Sequence, residues 1–192
     1  MHTLIVYAHP NPASFNHAIL ETVLESLKRK TWEVNVRALY SMRFDPVLSG
    51  SELEALRQGR VSEDVAVEQD HVRRADLLVF IYPIWWAGMP AVLRGYIDRV
   101  FSKGFAYDYG PEGGLLKGKK VLIFNTLGAP LEAYETTGIF KSMQQLTDQE
   151  TFRFCGMEVV GHHYFGSVPT VTHEERLKML AQVARTADLL PV

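Results

Sequence analysis

Five short apolar runs punctuate the chain, and most of the stretches between them carry helical spacing. Thr3-Leu4-Ile5-Val6-Tyr7-Ala8 is β-branched and free of charge, the pattern of a strand buried on both faces. His9-Pro10-Asn11-Pro12 then specifies turns, and Phe15 to about Lys30 reads as a helix with Phe15, Ile19, Val23, Leu24 and Leu27 facing inward. Trp32 to Leu39 alternates as a second strand. The pattern is weak from Tyr40 to Arg60, where Glu52 to Gln58 suits a short helix. Ser62 to Arg74 is polar and helical in period, with Ser62 or Asp64 as its cap. Asp76 to Tyr82 is the most apolar strand of the chain. After it, Pro90 fits the first turn of a helix that turns Val92, Leu93, Tyr96, Ile97, Val100 and Phe101 inward.

Gly104 to Gly118 is a loop rich in glycine and tyrosine, and Lys120 to Asn125 is a fourth strand. Tyr134 to Thr147 has a helical pattern, Glu158 to Phe165 reads as a fifth strand, and Thr172 with Glu175 forms a capping box for a helix reaching about Leu189. Alternation of apolar strands with helices specifies a parallel sheet covered on both faces. Right-handed crossovers and five strands favour an α/β, flavodoxin-like, doubly wound sheet of order 2-1-3-4-5. No repeat, low-complexity tract or linker interrupts it, so residues 1–192 are expected to form a single domain.

In such a sheet a ligand sits beyond the carboxyl ends of the strands, where strand order reverses. Three loops meet there. The first, His9 to Asn16, enters a helix whose N-terminus can bind an anion, with Ser14 and Asn16 as side-chain donors and His9 as a source of charge. The plainer reading makes Ser14 a cap and His9 a turn residue. The second is Tyr82-Pro83-Ile84-Trp85-Trp86-Ala87-Gly88-Met89-Pro90, in which two tryptophans between prolines form a rigid apolar ledge at the end of a buried strand. Such a ledge suits a flat aromatic cofactor, with the N–H groups of Trp85, Trp86 and Ala87 available to its polar edge; packing in the core is the competing account. The third offers Thr126, Gly128 and Ala129 for close backbone approach, then Tyr134. Tyr107 and Tyr109 lie on the glycine-rich loop, placed either as a lid over a flat substrate or at a dimer contact.

Composition narrows the field. The chain is 47% hydrophobic and 22% charged, and its formal charge of −2 gives no basic footprint for nucleic acid or an anionic membrane. At 192 residues, folding buries about 70% of the surface the unfolded chain exposes, so no staple is required. Cys155 is the one cysteine, which excludes an internal disulfide and suits a reducing compartment. Without a basic start and long apolar core at the N-terminus, and without a run of about 20 apolar residues, a cytoplasmic protein with no membrane insertion is expected. Adjacent His162 and His163 on a strand face opposite sides and cannot share a metal, and no other histidine has ligand spacing, so no metal is expected. Neither GxGxxG nor GxxxxGK[ST] occurs.

With those residues in place, the chain resembles the NAD(P)H:quinone oxidoreductase family, a flavodoxin-like group that includes two-electron quinone reductases and ancillary subunits of potassium-efflux systems. The resemblance spans nearly the whole chain and is carried by Ala8 to Asn16, Pro83 to Gly95, Asp98-Arg99-Val100-Phe101, Phe105 to Tyr109 and Phe154-Cys155-Gly156. It implies that His9, Ser14, Phe15 and Asn16 bind the flavin phosphate and ribityl chain. It also implies that Pro83, Ile84, Trp85 and Trp86 lie along the isoalloxazine ring, with Thr126 and Gly128 at the ring's polar edge. Tyr107 and Tyr109, with Trp86, would line the substrate side, the tyrosines coming from the partner subunit of a homodimer. FMN, or alternatively FAD, would take a hydride from NAD(P)H and pass it to a quinone or another planar acceptor in a ping-pong cycle, as an NAD(P)H dehydrogenase (quinone) does. An alternative within the family is a flavin-binding ancillary subunit of a potassium-efflux system. One departure has chemical content: the animal members use a tyrosine and a later histidine to balance charge on the reduced flavin. Tyr134 matches the first, but Phe140 stands at the second. That leaves Tyr134 or water as the donor, and Tyr134 and Trp86 as the residues expected to carry the chemistry.

Overall fold

The computed structural model describes residues 1–111 and 113–190. Its sheet is built from β1 (His2–Tyr7), β2 (Glu33–Ala38), β3 (Leu77–Pro83), β4 (Lys120–Thr126) and β5 (Glu158–Phe165). All neighbouring strands are parallel and the order is β2-β1-β3-β4-β5, as the sequence pattern predicts. The central strands explain why the order is stable. Every residue of β3 is buried, which requires neighbours on both edges and helices on both faces.

Alternation along the strands divides the core in two. Leu4, Val6, Leu78, Phe80, Tyr82, Val121 and Ile123 face one side. There they pack against Val72 of α3 (Glu63–Arg74), against Leu93, Tyr96 and Val100 of α4 (Ala91–Val100), and against Phe152. Ile5, Tyr7, Val79, Ile81, Leu122 and Phe124 face the other, under Ile19, Val23 and Leu27 of α1 (Phe15–Arg29) and Val183 of α7 (His173–Asp188). Each fully buried aliphatic or phenyl side chain contributes about 1.5–3 kcal/mol, so both layers are strongly fixed in register. The capping box is present: Thr172 Oγ1 accepts from the Glu175 N–H, and the Glu175 carboxylate accepts from the Thr172 N–H.

The weak stretch after β2 is organised by one buried cation. Arg99 pairs with Glu52 of α2 (Gly50–Arg57) at 2.9 Å and with Asp64 at 2.8 Å, and donates to the Asp45 carbonyl at 2.7 Å. The Asp45-Pro46 turn lies so close to α4 that a Cβ on Gly95 would fall 2.1 Å from the Pro46 carbonyl oxygen. Glycine in mid-helix is required there by the turn above it.

Two expectations are corrected. Pro90 is the N-cap of α4, not a residue of its first turn; its φ of −54° and ψ of 146° leave it outside the helix. Tyr134 to Thr147 is not one helix. It divides into α5 (Leu131–Thr136) and α6 (Ile139–Gln144), after which the chain widens into a π-helical segment, Gln145–Arg153. Gly138, at φ +73°, takes a left-handed conformation between the two helices, which ends the first and redirects the second.

Candidate cofactor and active site

Three of the four loops that meet at the cleft leave the carboxyl ends of β1, β3 and β4. After β1, Asn11 builds a compact turn: its side-chain Oδ1 accepts from the Ala13 N–H at 2.8 Å, and its own N–H donates to His9 Nδ1 at 3.0 Å. The same Nδ1 lies 3.2 Å from the Asn11 carbonyl oxygen, so the ring is held against the Asn11 backbone through this one nitrogen. Partial burial also pushes its pKa below the usual histidine value, against the opposing contact with the Asn11 carbonyl. Desolvation of this kind makes the charged form of His9 less favourable than in water. Ser14 then caps α1, its hydroxyl accepting from the His17 N–H at 3.2 Å. The N–H groups of Phe15 and Asn16, in the first turn, take no partner among the described residues.

Asn16 carries the most informative polar atom in the cleft. Only 3% exposed, it donates through Nδ2 to Thr126 Oγ1 at 2.7 Å, while its Oδ1 is buried without a hydrogen-bond partner among the described residues. An orphaned amide oxygen of this kind costs roughly 1–3 kcal/mol unless something supplies a donor.

After β3 the chain closes a two-residue hairpin. Trp85 and Gly88 exchange N–H···O bonds in both directions at 3.0 Å, so the Trp85 N–H is spent inside the turn and does not face a ligand. Trp86 and Ala87, the two central residues, sit at φ +52° and +56°. Such turns normally recruit Asn-Gly, and a non-glycine residue held left-handed costs about 1–2 kcal/mol. The strain presents an apolar ring to the outside: Trp86 is 103% exposed and Trp85 41%. Backbone strain beside an exposed tryptophan marks a site under functional constraint.

After β4, Thr126 and Gly128 complete the third side. The hairpin is tied to this loop by the Ile84 N–H, which donates to the Thr126 carbonyl at 2.8 Å. The turn after β5 joins through Val168, whose N–H donates to the Leu127 carbonyl at 3.1 Å and whose own carbonyl accepts from the Arg176 guanidinium at 3.0 Å.

The resulting cleft holds about 440 Å³ and is open on one side. It brings together His9, Ser14, Phe15, Asn16, Pro83, Ile84, Trp85, Trp86, Thr126 and Gly128, all expected from sequence. Leu127, Val168 and Pro169 line it as well and were not expected. The sign for the last two was available, because the same rule that selects loops after β1, β3 and β4 selects the one after β5. Tyr134 does not line the cleft; it is half-buried on α5. Tyr107 and Tyr109 lie elsewhere, against a second groove of about 690 Å³ with Leu53, Leu146, Phe154 and Cys155. Tyr107 packs on Phe154 at 5.1 Å between ring centroids, and Tyr109 is 78% exposed. Burial pushes the Cys155 thiol up to about 11, which keeps it protonated and inert near neutral pH. No group of three His, Cys, Asp or Glu side chains among the described residues is placed to hold a metal. A flavin fits what is present: free helix N–H groups and an imidazole for a phosphate, an orphaned amide oxygen for a sugar hydroxyl, and a flat aromatic wall for the ring system.

The sheet is flavodoxin-like, with a cleft at the carboxyl ends of its strands, and comparison with known proteins agrees on the fold. The sequence profile described as "Flavodoxin-like fold" matches residues 1–187. An uncharacterized NAD(P)H oxidoreductase of Haemophilus influenzae is 38% identical over 188 residues, covering 96% of this chain and 93% of the relative. The solved structure of an NAD(P)H:quinone oxidoreductase from Methanothermobacter marburgensis superposes with a TM-score of 0.91 at 33% identity, covering 99% of this chain and 96% of that one. A general stress protein 14 from Treponema denticola, solved in complex with FMN, superposes with a TM-score of 0.66 at 25% identity over 97% of this chain and 95% of its own. The chain belongs to the flavodoxin-like NAD(P)H:quinone oxidoreductase family.

Proposed function

We propose that this single-domain protein is an FMN-dependent NAD(P)H:quinone oxidoreductase acting as a homodimer in the cytoplasm. The observation that carries the reading is the orphaned Oδ1 of Asn16 in the same cleft as the exposed, strained Trp86 turn. One requires a donor and the other a flat apolar partner, and a flavin nucleotide supplies both. When bound, that group would accept hydride from a reduced nicotinamide and deliver it to a quinone.

The residues of the chain then have separate tasks. Phe15 and Asn16 N–H groups, the Ser14 hydroxyl and the His9 imidazole would hold the phosphate at the positive end of α1. Asn16 Oδ1 accepts from a ribityl hydroxyl while its Nδ2 stays on Thr126. Pro83, Ile84 and Trp85 set the wall, Gly128 allows backbone approach to the polar edge, and Trp86 gives the planar substrates a stacking face. Tyr134 stands on α5 outside the cleft lining and would reach a bound flavin as a phenolic donor only with a shift of α5, while Phe140 packs against Tyr164 at 4.2 Å. Tyr107 and Tyr109 reach the cleft from the second subunit. In one chain they face the other groove, so Trp86 remains uncovered. A quinone and NAD(P)H would use this one face in turn.

The test is anaerobic mixing of FMN-loaded protein with NADPH or NADH. The expected result is loss of the flavin's visible absorbance, restored by a quinone. Protein that holds FMN and is bleached by neither nucleotide would refute the reading.

A further inference from the structure

Behind the cleft lies a buried polar chain that none of the residues assigned so far requires. His162 of β5 has a side chain only 4% exposed, and Asp148 on the π-helical segment has one 15% exposed. His162 Nδ1 meets Asp148 Oδ1 at 2.7 Å, and Nε2 meets Asn125 Oδ1 at 2.6 Å. Asn125, fully buried, donates through Nδ2 to the Tyr82 carbonyl at 3.1 Å. The Tyr164 ring stacks on the imidazole at 4.1 Å, with its hydroxyl 3.2 Å from Nδ1.

Donor and acceptor roles are fixed from one end. The Tyr82 carbonyl only accepts, which commits Asn125 Nδ2 to it and turns Oδ1 toward the histidine. Nε2 must then carry a hydrogen. Nδ1 lies against the Asp148 carboxylate, so both ring nitrogens are engaged within the network. Tyr82 and Asn125 are neighbours across β3 and β4, and the next register pair, Pro83 and Thr126, lines the cleft. From the same π-helical segment Phe152 packs on Phe80 at 4.6 Å; just beyond it Phe154 packs on Tyr107. π-helical widening inside a helix recurs at functional sites, and here it is what sets Asp148 opposite His162.

We propose that Asp148, His162 and Asn125 form a positioning network that clamps the π-helical segment to the ends of β3 and β4 and so fixes Pro83 and Thr126 against the cofactor. The inference rests on the flavin reading above. The network touches no ligand; it acts through Thr126, whose hydroxyl holds Asn16.

The test is titration of FMN into the apoprotein, read by quenching of flavin fluorescence, alongside thermal unfolding of the same apoprotein. Asp148→Ala removes the link and is expected to weaken FMN binding about tenfold, the scale of one lost hydrogen bond. Asp148→Asn is expected to stay within about twofold of wild type, because the amide keeps a hydrogen-bonding group against Nδ1 and preserves the clamp without the carboxylate charge. His162→Gln keeps a partner for Asn125 but drops Asp148; it is expected to match Asp148→Ala and serves if that variant does not fold. Val183→Ala, in the layer under α7, is expected to lower the melting temperature and leave FMN affinity unchanged. Wild-type affinity in Asp148→Ala or His162→Gln overturns the proposal, as does equal loss in Asp148→Asn or in Val183→Ala. If the wild-type apoprotein binds no FMN, the flavin reading itself falls, a result distinct from all of these.

Discussion

The two walls of the cleft are built by opposite means. On the α1 side, polar groups sit in relaxed, regular structure: Ser14 is an extended N-cap with its helix N–H satisfied, and Asn16 is buried in the first turn with one hydrogen bond made and one open. On the β3 side, an apolar surface sits on a hairpin whose two central residues are both left-handed without being glycine. A helix N-terminus provides unused donors by its nature, so recognising an anion there needs no distortion. An exposed flat aromatic face has no such regular source. The hairpin holds Trp86 outward at a cost of about 2–4 kcal/mol for the two residues, borne by the fully buried β3 that precedes it. On the function proposed above, the polar wall would set affinity and the strained wall reactivity.

The largest effect should come from breaking the polar wall. Asn16→Leu removes both the donor to Thr126 and the open acceptor, and leaves Thr126 Oγ1 unpaired beside a buried apolar group. At about 1–3 kcal/mol for such a loss, FMN binding is expected to weaken roughly 10- to 100-fold in a fluorescence titration. A Kd within about threefold of wild type would remove Asn16 from the account and with it half of the comparison.

Within the strained wall the two tryptophans are expected to differ. Trp86 is wholly exposed, whereas Trp85 is half-buried and lies 6.1 Å from the His9 ring. Aromatic stacking contributes about 0.5–1.5 kcal/mol beyond area burial, so Trp86→Ala should lower turnover up to about tenfold at full FMN occupancy. Trp85→Ala should lower it by less than about threefold. Equal losses in steady-state turnover would show that the hairpin acts as a block of packing and not through one presented ring.

The polar wall was legible in sequence and the strained wall only in part. Ser14 before a helical pattern, and Asn16 in that helix's first turn beyond the end of a buried strand, follow from capping rules and from where ligands lie in doubly wound sheets. The five apolar runs were enough for the strand order. The prolines of the Trp85-Trp86 stretch announced a rigid loop, but nothing local signals that Trp86 and Ala87 take positive φ, because neither residue type favours it. The π-helical segment was hidden for a related reason. Its residues keep a helical polarity pattern, and the segment is held by Phe152 packing on Phe80 of β3 and by Asp148 meeting His162 of β5, contacts that local sequence does not announce. Tyr107 and Tyr109 could be named as chemistry without being placed, since the groove they line is formed by α2, α4 and the π-helical segment together.

Ser14→Ala tests whether the relaxed wall is also structural. Losing an N-cap hydroxyl costs about 1 kcal/mol, which lowers the melting temperature of a chain of this size by about 2–4 °C. The plainer sequence reading, Ser14 as a cap, is thereby separable from the functional one: a cap alone shifts melting and leaves the Kd for FMN unchanged. A phosphate contact shifts both.

The smallest effect should come from relieving the strained wall. Ala87→Gly replaces a left-handed alanine, at φ +56°, with the one residue that adopts that conformation freely. The relief of about 1–2 kcal/mol is partly offset by the greater freedom of glycine in the unfolded chain, leaving a gain of about 0.5–1 kcal/mol and a melting temperature about 1–3 °C higher. Since Trp85 and Gly88 still exchange both of their backbone hydrogen bonds, Trp86 keeps its position and turnover is expected to change by less than about twofold. A higher melting temperature with preserved turnover would show that strain at this turn is a cost of displaying Trp86 and not itself part of the chemistry. A rise in melting temperature accompanied by a large fall in turnover would show the reverse, that rigidity at Ala87 is what keeps the ring in place.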